Sequence, residues 1–118
     1  MIAKTFPAYT RKILRDHGRA VGYAVEIDVN DRLVVVVGGG AIALRRVRRL
    51  VESGARVTVV APEITDGLAE LPVTVRRRRY RDGDLAGAWL AHAATDDPAV
   101  NAAVAAEAER ARIWCVRA

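Results

Sequence analysis

The chain is short of the residues that several kinds of chemistry need. It has one cysteine, Cys115, so an internal disulfide and a multi-cysteine metal site are both excluded. It has two histidines, His17 and His92, far apart in sequence, and no metal site is expected from them. Aromatic residues make up 5% of the chain, and none is interleaved with the basic runs. That argues against a stacking surface for nucleic acid. The longest uncharged run, Leu33 to Leu44, is too short and too glycine-rich to span a bilayer. The first dozen residues hold Lys4, Arg11 and Lys12 and no acid, but no secretory pattern. A cytoplasmic protein with no membrane partner is the default expectation.

What is present is ordinary in amount and unusual in sign. The 118 residues suffice for one domain with a core of its own. They are 52% hydrophobic and 28% charged, with a net charge of +5 and a pI of about 10.1. A basic balance favours anionic partners such as nucleotides or polycarboxylates. Arginine far outnumbers lysine and alanine is abundant, a bias that base composition of the genome also produces, so charge alone carries little weight.

The informative stretch is Leu33-Val-Val-Val-Val-Gly-Gly-Gly-Ala-Ile-Ala43. An uninterrupted apolar run suits a strand buried on both faces, as in a parallel sheet. Gly38, Gly40 and Ala43 fit G-x-G-x-x-[G/A], the dinucleotide-binding fingerprint. Gly38 would make the turn, Gly40 would admit a pyrophosphate, and Ala43 would let the helix pack on the strand. Ala43, Val47, Leu50 and Val51 then form an apolar stripe at helical spacing, with Gly54 as its stop. Arg45, Arg46, Arg48 and Arg49 lie largely off the stripe, as a solvated face would.

Around this unit the remaining elements follow. Tyr23 to Val29 alternates apolar and polar residues and predicts a half-exposed strand. A short basic helix is expected over 9–17. Arg56–Val60 reads as a strand ended by Ala61-Pro62. Ile64 to Leu71 holds a short helix, and Val73–Val75 opens a third strand. Arg76–Arg79 are four successive cations, which places that strand at a sheet edge. Asp82-Gly83-Asp84 is a loop and Trp89–Thr95 a fourth strand. His92 within it is expected to be a buried, hydrogen-bonded core residue. Asp97 caps a helix with Pro98 in its first position, running over Ala99 to Arg112. Ile113–Val116 begins a fifth strand. Residues 1–22 stand as an unassigned extension and 23–118 as the folded domain.

This order predicts an α/β fold, a Rossmann-like doubly wound parallel sheet. Its strand-end loops, Gly38–Ala41, Ala61–Glu63 and Ala94–Asp96, should meet at one crevice. The usual acid at the end of the second strand is replaced by Ala61 and Pro62, with Glu63 just beyond. No arginine follows that strand directly, so a 2′-phosphate lacks an obvious partner and NAD is expected over NADP.

The glycine turn, Arg45-Arg-Val, Gly54-Ala-Arg-Val-Thr-Val-Val-Ala-Pro-Glu63 and Ala93-Ala-Thr-Asp-Asp-Pro-Ala-Val-Asn101 together resemble the N-terminal domain of the siroheme synthase family, which includes precorrin-2 dehydrogenase. The resemblance covers roughly residues 23–115. It implies NAD-dependent oxidation of precorrin-2, an anionic tetrapyrrole, to sirohydrochlorin, and in some members iron insertion. It implies NAD against Gly38, Gly39, Gly40, Ala41 and Ile42, with Pro62 and Glu63 near the adenosine end. In the family the fifth strand runs into a stretch whose Asp is assigned a catalytic role. Here Cys115 is followed by Val116, Arg117 and Ala118, so no residue inherits that role. The family's dimerisation and helical region has no counterpart in these residues either, which leaves a homodimer an open expectation. Three readings stand: the dehydrogenase, an NAD-binding module without catalysis of its own, and a basic anion-binding domain whose glycine turn is purely structural.

Overall fold

A computed structural model describes residues 22–118. Five strands are joined through three helices: β1 (Leu33–Val37), α1 (Ala41–Glu52), β2 (Arg56–Val60), α2 (Asp66–Ala69), β3 (Thr74–Arg76), β4 (Leu90–Ala93), α3 (Pro98–Ala111) and β5 (Trp114–Arg117). All strands pair in parallel, in the order β3-β2-β1-β4-β5. The doubly wound arrangement expected from the sequence is therefore present, with β1 at the centre and β3 at an edge.

The central strand explains the valine run. β1 is hydrogen-bonded on both sides and covered on both faces, so Val34 and Val36 face one core cluster and Val35 and Val37 the other. α1 lays Ala43, Val47 and Leu50 onto the first cluster, and α3 lays Val104 and Ala108 onto the second. The first helix stops where its sequence predicts. The Ala55 N–H returns to the Leu50 carbonyl and the Gly54 N–H to that of Val51, with Gly54 at φ +82°. That is the pair of bonds by which a left-handed glycine closes a helix. α3 begins as expected too: the Asp97 carboxylate accepts the Ala99 N–H at 2.9 Å, ahead of Pro98.

One expected element is absent. Residues 23–29 form no strand. β1 already has β2 and β4 as neighbours, so the segment has no place in the centre of the sheet. Its alternation is instead a docking pattern. Val29 is buried and Ile27 packs against the core, while Tyr23 and Val25 are exposed. The fourth strand is also shorter than expected, because the chain leaves the sheet after Ala93 to line a loop. The basic helix expected over 9–17 lies outside the described residues.

The crossover from β3 to β4 has little regular structure and is held by charge. The Asp84 carboxylate is almost wholly buried and accepts both terminal nitrogens of Arg78, at 2.7 and 2.8 Å, and the Arg81 backbone N–H at 2.9 Å. Arg76 approaches it at 3.9 Å. The Arg78 hydrogen bonds hold the Asp84 carboxyl below its ordinary range against the cost of burial. Nearby, the buried Glu107 of α3 accepts from the Tyr80 hydroxyl and from the Leu85 N–H. Both carboxylates thus staple residues 76–85 to the body of the domain. Asp84→Asn is expected to lower the unfolding free energy by about 1–2 kcal/mol, since the partly exposed Arg78 can turn to water once its partner loses charge. Urea denaturation of both chains checks this.

Candidate functional site

The site begins as a packing problem at the end of β1. Gly38 has φ +137°, a region that side chains rarely adopt. A Cβ there would run into the Ala94 carbonyl, at the end of β4. A Cβ on Gly39 would run into the Glu63 carbonyl, in the loop after β2. The two glycines therefore let the turn after β1 lie directly against both neighbouring strand-end loops. Hydrogen bonds lock the approach: Gly38 N–H to the Val60 carbonyl at 3.0 Å, and Thr65 N–H to the Gly39 carbonyl at 2.8 Å. Gly40 differs from both. A Cβ placed on it meets nothing within 4 Å, so it looks into open space.

Gly40 lines a crevice of about 870 Å³ at the carboxyl ends of β1, β2 and β4. Every residue expected from the sequence to meet the cofactor lines it: Gly38, Gly39, Gly40, Ala41 and Ile42, then Ala61, Pro62 and Glu63, then Ala94, Thr95 and Asp96. Its volume lies within the roughly 300–1,000 Å³ of small-molecule and cofactor sites. The three loops expected to converge do so.

The chemistry of the crevice follows from α1. Gly40 is its N-cap and supplies no side-chain cap, and its first turn carries no acid. The leading N–H groups of a helix have no partner within it, and they carry the positive end of its dipole. Ala41 and Ile42, the first residues of that helix, line the crevice, and a helix start of this kind suits a phosphate group. The opposite wall is rigid. Asn101, buried on α3, accepts the Thr95 N–H at 3.1 Å and donates to the Thr95 carbonyl at 2.9 Å. The Thr95 hydroxyl lies 2.7 Å from the same Asn101 oxygen. One side chain thereby fixes the whole Thr95 backbone.

Several lining residues escaped the sequence reading. Arg79 and Tyr80 reach the crevice from beyond β3, and Thr65, Asp97 and Val100 complete its walls. Only the sheet order reveals Arg79 and Tyr80, because β3 lies beside β2 and its end loop joins the same rim.

His92 is outside the crevice. It lies buried on the α1 face of β4, where Arg46 Nη1 stands 3.4 Å from its Nδ1. Burial first, then the charge of Arg46, pushes its pKa down to about 4 from 6.5. It is a neutral core residue at neutral pH, as expected. Among the described residues no three His, Cys, Asp or Glu side chains are grouped to hold a metal ion. No helix among them is long and apolar enough to cross a membrane.

A protein-family model described as putative NAD(P)-binding matches residues 25–118. The chain belongs to this family. Among curated proteins, it is 49% identical over 88 residues to the siroheme synthase of Tolumonas auensis, an alignment covering 73% of this chain and 19% of that protein. It is 49% identical over 80 residues to the siroheme synthase of Ectopseudomonas mendocina, covering 66% and 17% respectively. Among solved structures it matches SirC, a precorrin-2 dehydrogenase, with a TM-score of 0.65 and 38% identity, over 69% of this chain and 43% of that one. The chain thus spans about a fifth of the siroheme synthases it matches. Family membership, fold and siroheme synthase resemblance all agree with the sequence reading.

Two measurements check the geometry. Gly39→Ala should unfold at lower urea or temperature than the parent, by about 1–3 kcal/mol, because a backbone carbonyl must move. Gly40→Ala should fold with stability within about 0.5 kcal/mol of the parent. For His92 the folded pKa lies below the unfolded one, so between pH 6.5 and about 4 the unfolded chain binds the extra proton. Stability is therefore expected to fall as pH drops through that window. His92→Leu should flatten the slope there, read from urea midpoints at several pH values.

Proposed function

We propose that the crevice binds NAD and that the chain is the cofactor-binding part of a precorrin-2 dehydrogenase. The observation that carries the cofactor reading is the uncapped, acid-free start of α1, opening beside the side-chain-free Gly40 onto a crevice of dinucleotide size. In this reading Gly38, Gly39, Gly40, Ala41 and Ile42 meet the pyrophosphate, through first-turn N–H groups rather than side chains. Ala61, Pro62 and Glu63 lie toward the adenosine, with the Glu63 carboxylate available to accept from ribose hydroxyls. Ala94, Thr95 and Asp96 form the wall along which the dinucleotide passes toward β4, held in place by Asn101.

The substrate reading rests on likeness to proteins named siroheme synthase and precorrin-2 dehydrogenase. A bound NAD would supply the redox chemistry, as the two-electron acceptor for the oxidation of precorrin-2 to sirohydrochlorin. The chain positions that cofactor and keeps its phosphates on fixed backbone dipoles. Its net charge of +5 suits a substrate bearing many carboxylates. Iron insertion into sirohydrochlorin, as in some members of the resembled family, belongs to the same proposal, as does a cytoplasmic location.

A second reading has an observation of its own. Among the described residues no histidine or cysteine lines the crevice, and the one described histidine is a core residue. No catalytic residue is assigned, and a module that holds NAD without catalysis of its own fits that inventory.

An anaerobic assay of the 118-residue chain with precorrin-2 and NAD separates the readings. Sirohydrochlorin and NADH rising together, one for one, is the outcome expected of a dehydrogenase. NAD binding without product assigns the chain the module role. Absence of both overturns the cofactor proposal.

A further inference from the structure

The four arginines at the end of β3 do not share one role. Arg78 is bound to the buried Asp84 through both terminal nitrogens, and Arg76 stands 3.9 Å from the same carboxylate. Arg77 is exposed and does not line the crevice. Arg79 does line it, and among the described residues it pairs with no carboxylate. It is also the only cation among the described residues that line the crevice.

Its position in the sheet says which part of a ligand it meets. β3 is hydrogen-bonded to β2, and the Ala61 N–H reaches the Arg76 carbonyl at 3.2 Å. The chain beyond β3 therefore rises beside Ala61–Glu63, two strands from the glycine turn after β1. At strand spacing that is roughly 10 Å from the first turn of α1. A dinucleotide with its pyrophosphate on that turn extends its adenosine ribose toward β2 and β3. The loop after β2 offers no acid at its first two positions, Ala61 and Pro62, and its one acid there is Glu63.

We propose that Arg79 forms a subsite for the 2′-phosphate of a dinucleotide, so that the crevice accepts NADP as well as NAD. The inference rests on the dinucleotide reading of the crevice. Arg79 does from the edge strand what an arginine after β2 does in other dinucleotide-binding sheets. A guanidinium is suited to a phosphate by its planar fork of donors. Glu63 serves the unphosphorylated ribose by accepting from its hydroxyls; beside a 2′-phosphate its charge is repulsive, and the Arg79 guanidinium offsets that repulsion.

The test is a fluorescence or calorimetric titration of the chain with NADH and NADPH, and with the fragments 5′-AMP and 2′,5′-ADP. The parent chain is expected to bind NADPH at least as tightly as NADH, to within about threefold. Arg79→Ala should weaken NADPH and 2′,5′-ADP by about tenfold or more and NADH by less than about threefold. Arg79→Lys should restore part of the loss. Arg77→Ala should change neither, which excludes a diffuse effect of net charge. Because Arg79 has no carboxylate partner among the described residues, the variant should keep the parent's thermal midpoint. A parent that prefers NADH by more than about tenfold overturns the inference, as does an Arg79→Ala variant that weakens both cofactors alike. If neither cofactor binds the parent, the dinucleotide reading itself fails and the subsite with it.

Discussion

The structure depends on one close approach of main chain to main chain. At the end of β1, Gly38 and Gly39 let the backbone lie against the Ala94 and Glu63 carbonyls, where any side chain would collide. A strand that is hydrogen-bonded on both sides must leave the sheet between two others, and it does so by having no side chains at the exit. That contact draws the loops after β1, β2 and β4 onto one rim. The same turn sets the direction of α1, whose first residues, Ala41 and Ile42, then line the crevice. The third glycine differs, since a Cβ on Gly40 would meet nothing within 4 Å.

The rest of the site is held rigid by polar side chains that are themselves buried. Asn101 fixes Thr95, Asp84 gathers Arg76, Arg78 and Arg81, and Glu107 holds Tyr80 and Leu85. Each satisfies backbone or guanidinium groups that would otherwise be lost to burial. Two of the three act on the irregular stretch after β3, where hydrophobic packing alone has few residues to grip. Their effect reaches the crevice, because Arg79 and Tyr80 are carried on that stretch.

Much of this was legible in the sequence. An unbroken valine run followed by glycines and a helical stripe admits few folds other than a central parallel strand feeding a helix. Asp97-Pro98 and Gly54 mark helix ends by local chemistry, and they are where the structure has them. The lining residues from Gly38 to Asp96 followed from the rule that such sheets bind at their carboxyl ends. Two readings were not legible. Tyr23–Val29 has the alternation of a strand, but whether a strand finds a partner depends on which sheet positions are filled. Arg79 was hidden for a related reason. Four cations in a row look alike in sequence, and only the neighbourhood of Asp84 and of β2 separates them. Both gaps concern sheet neighbours distant in the chain, which local pattern does not encode.

In the reading proposed above, the backbone at the start of α1, shaped by the glycine turn, holds the phosphates of a dinucleotide. The most direct measurement is a titration of the ¹⁵N-labelled chain with NAD, followed by amide chemical shifts. The largest shifts should fall on Gly39, Gly40, Ala41 and Ile42, with smaller ones at Glu63 and Thr95 and none at Arg112 or Trp114. Saturable shifts elsewhere with these amides unmoved, or no shifts at millimolar NAD, would contradict it.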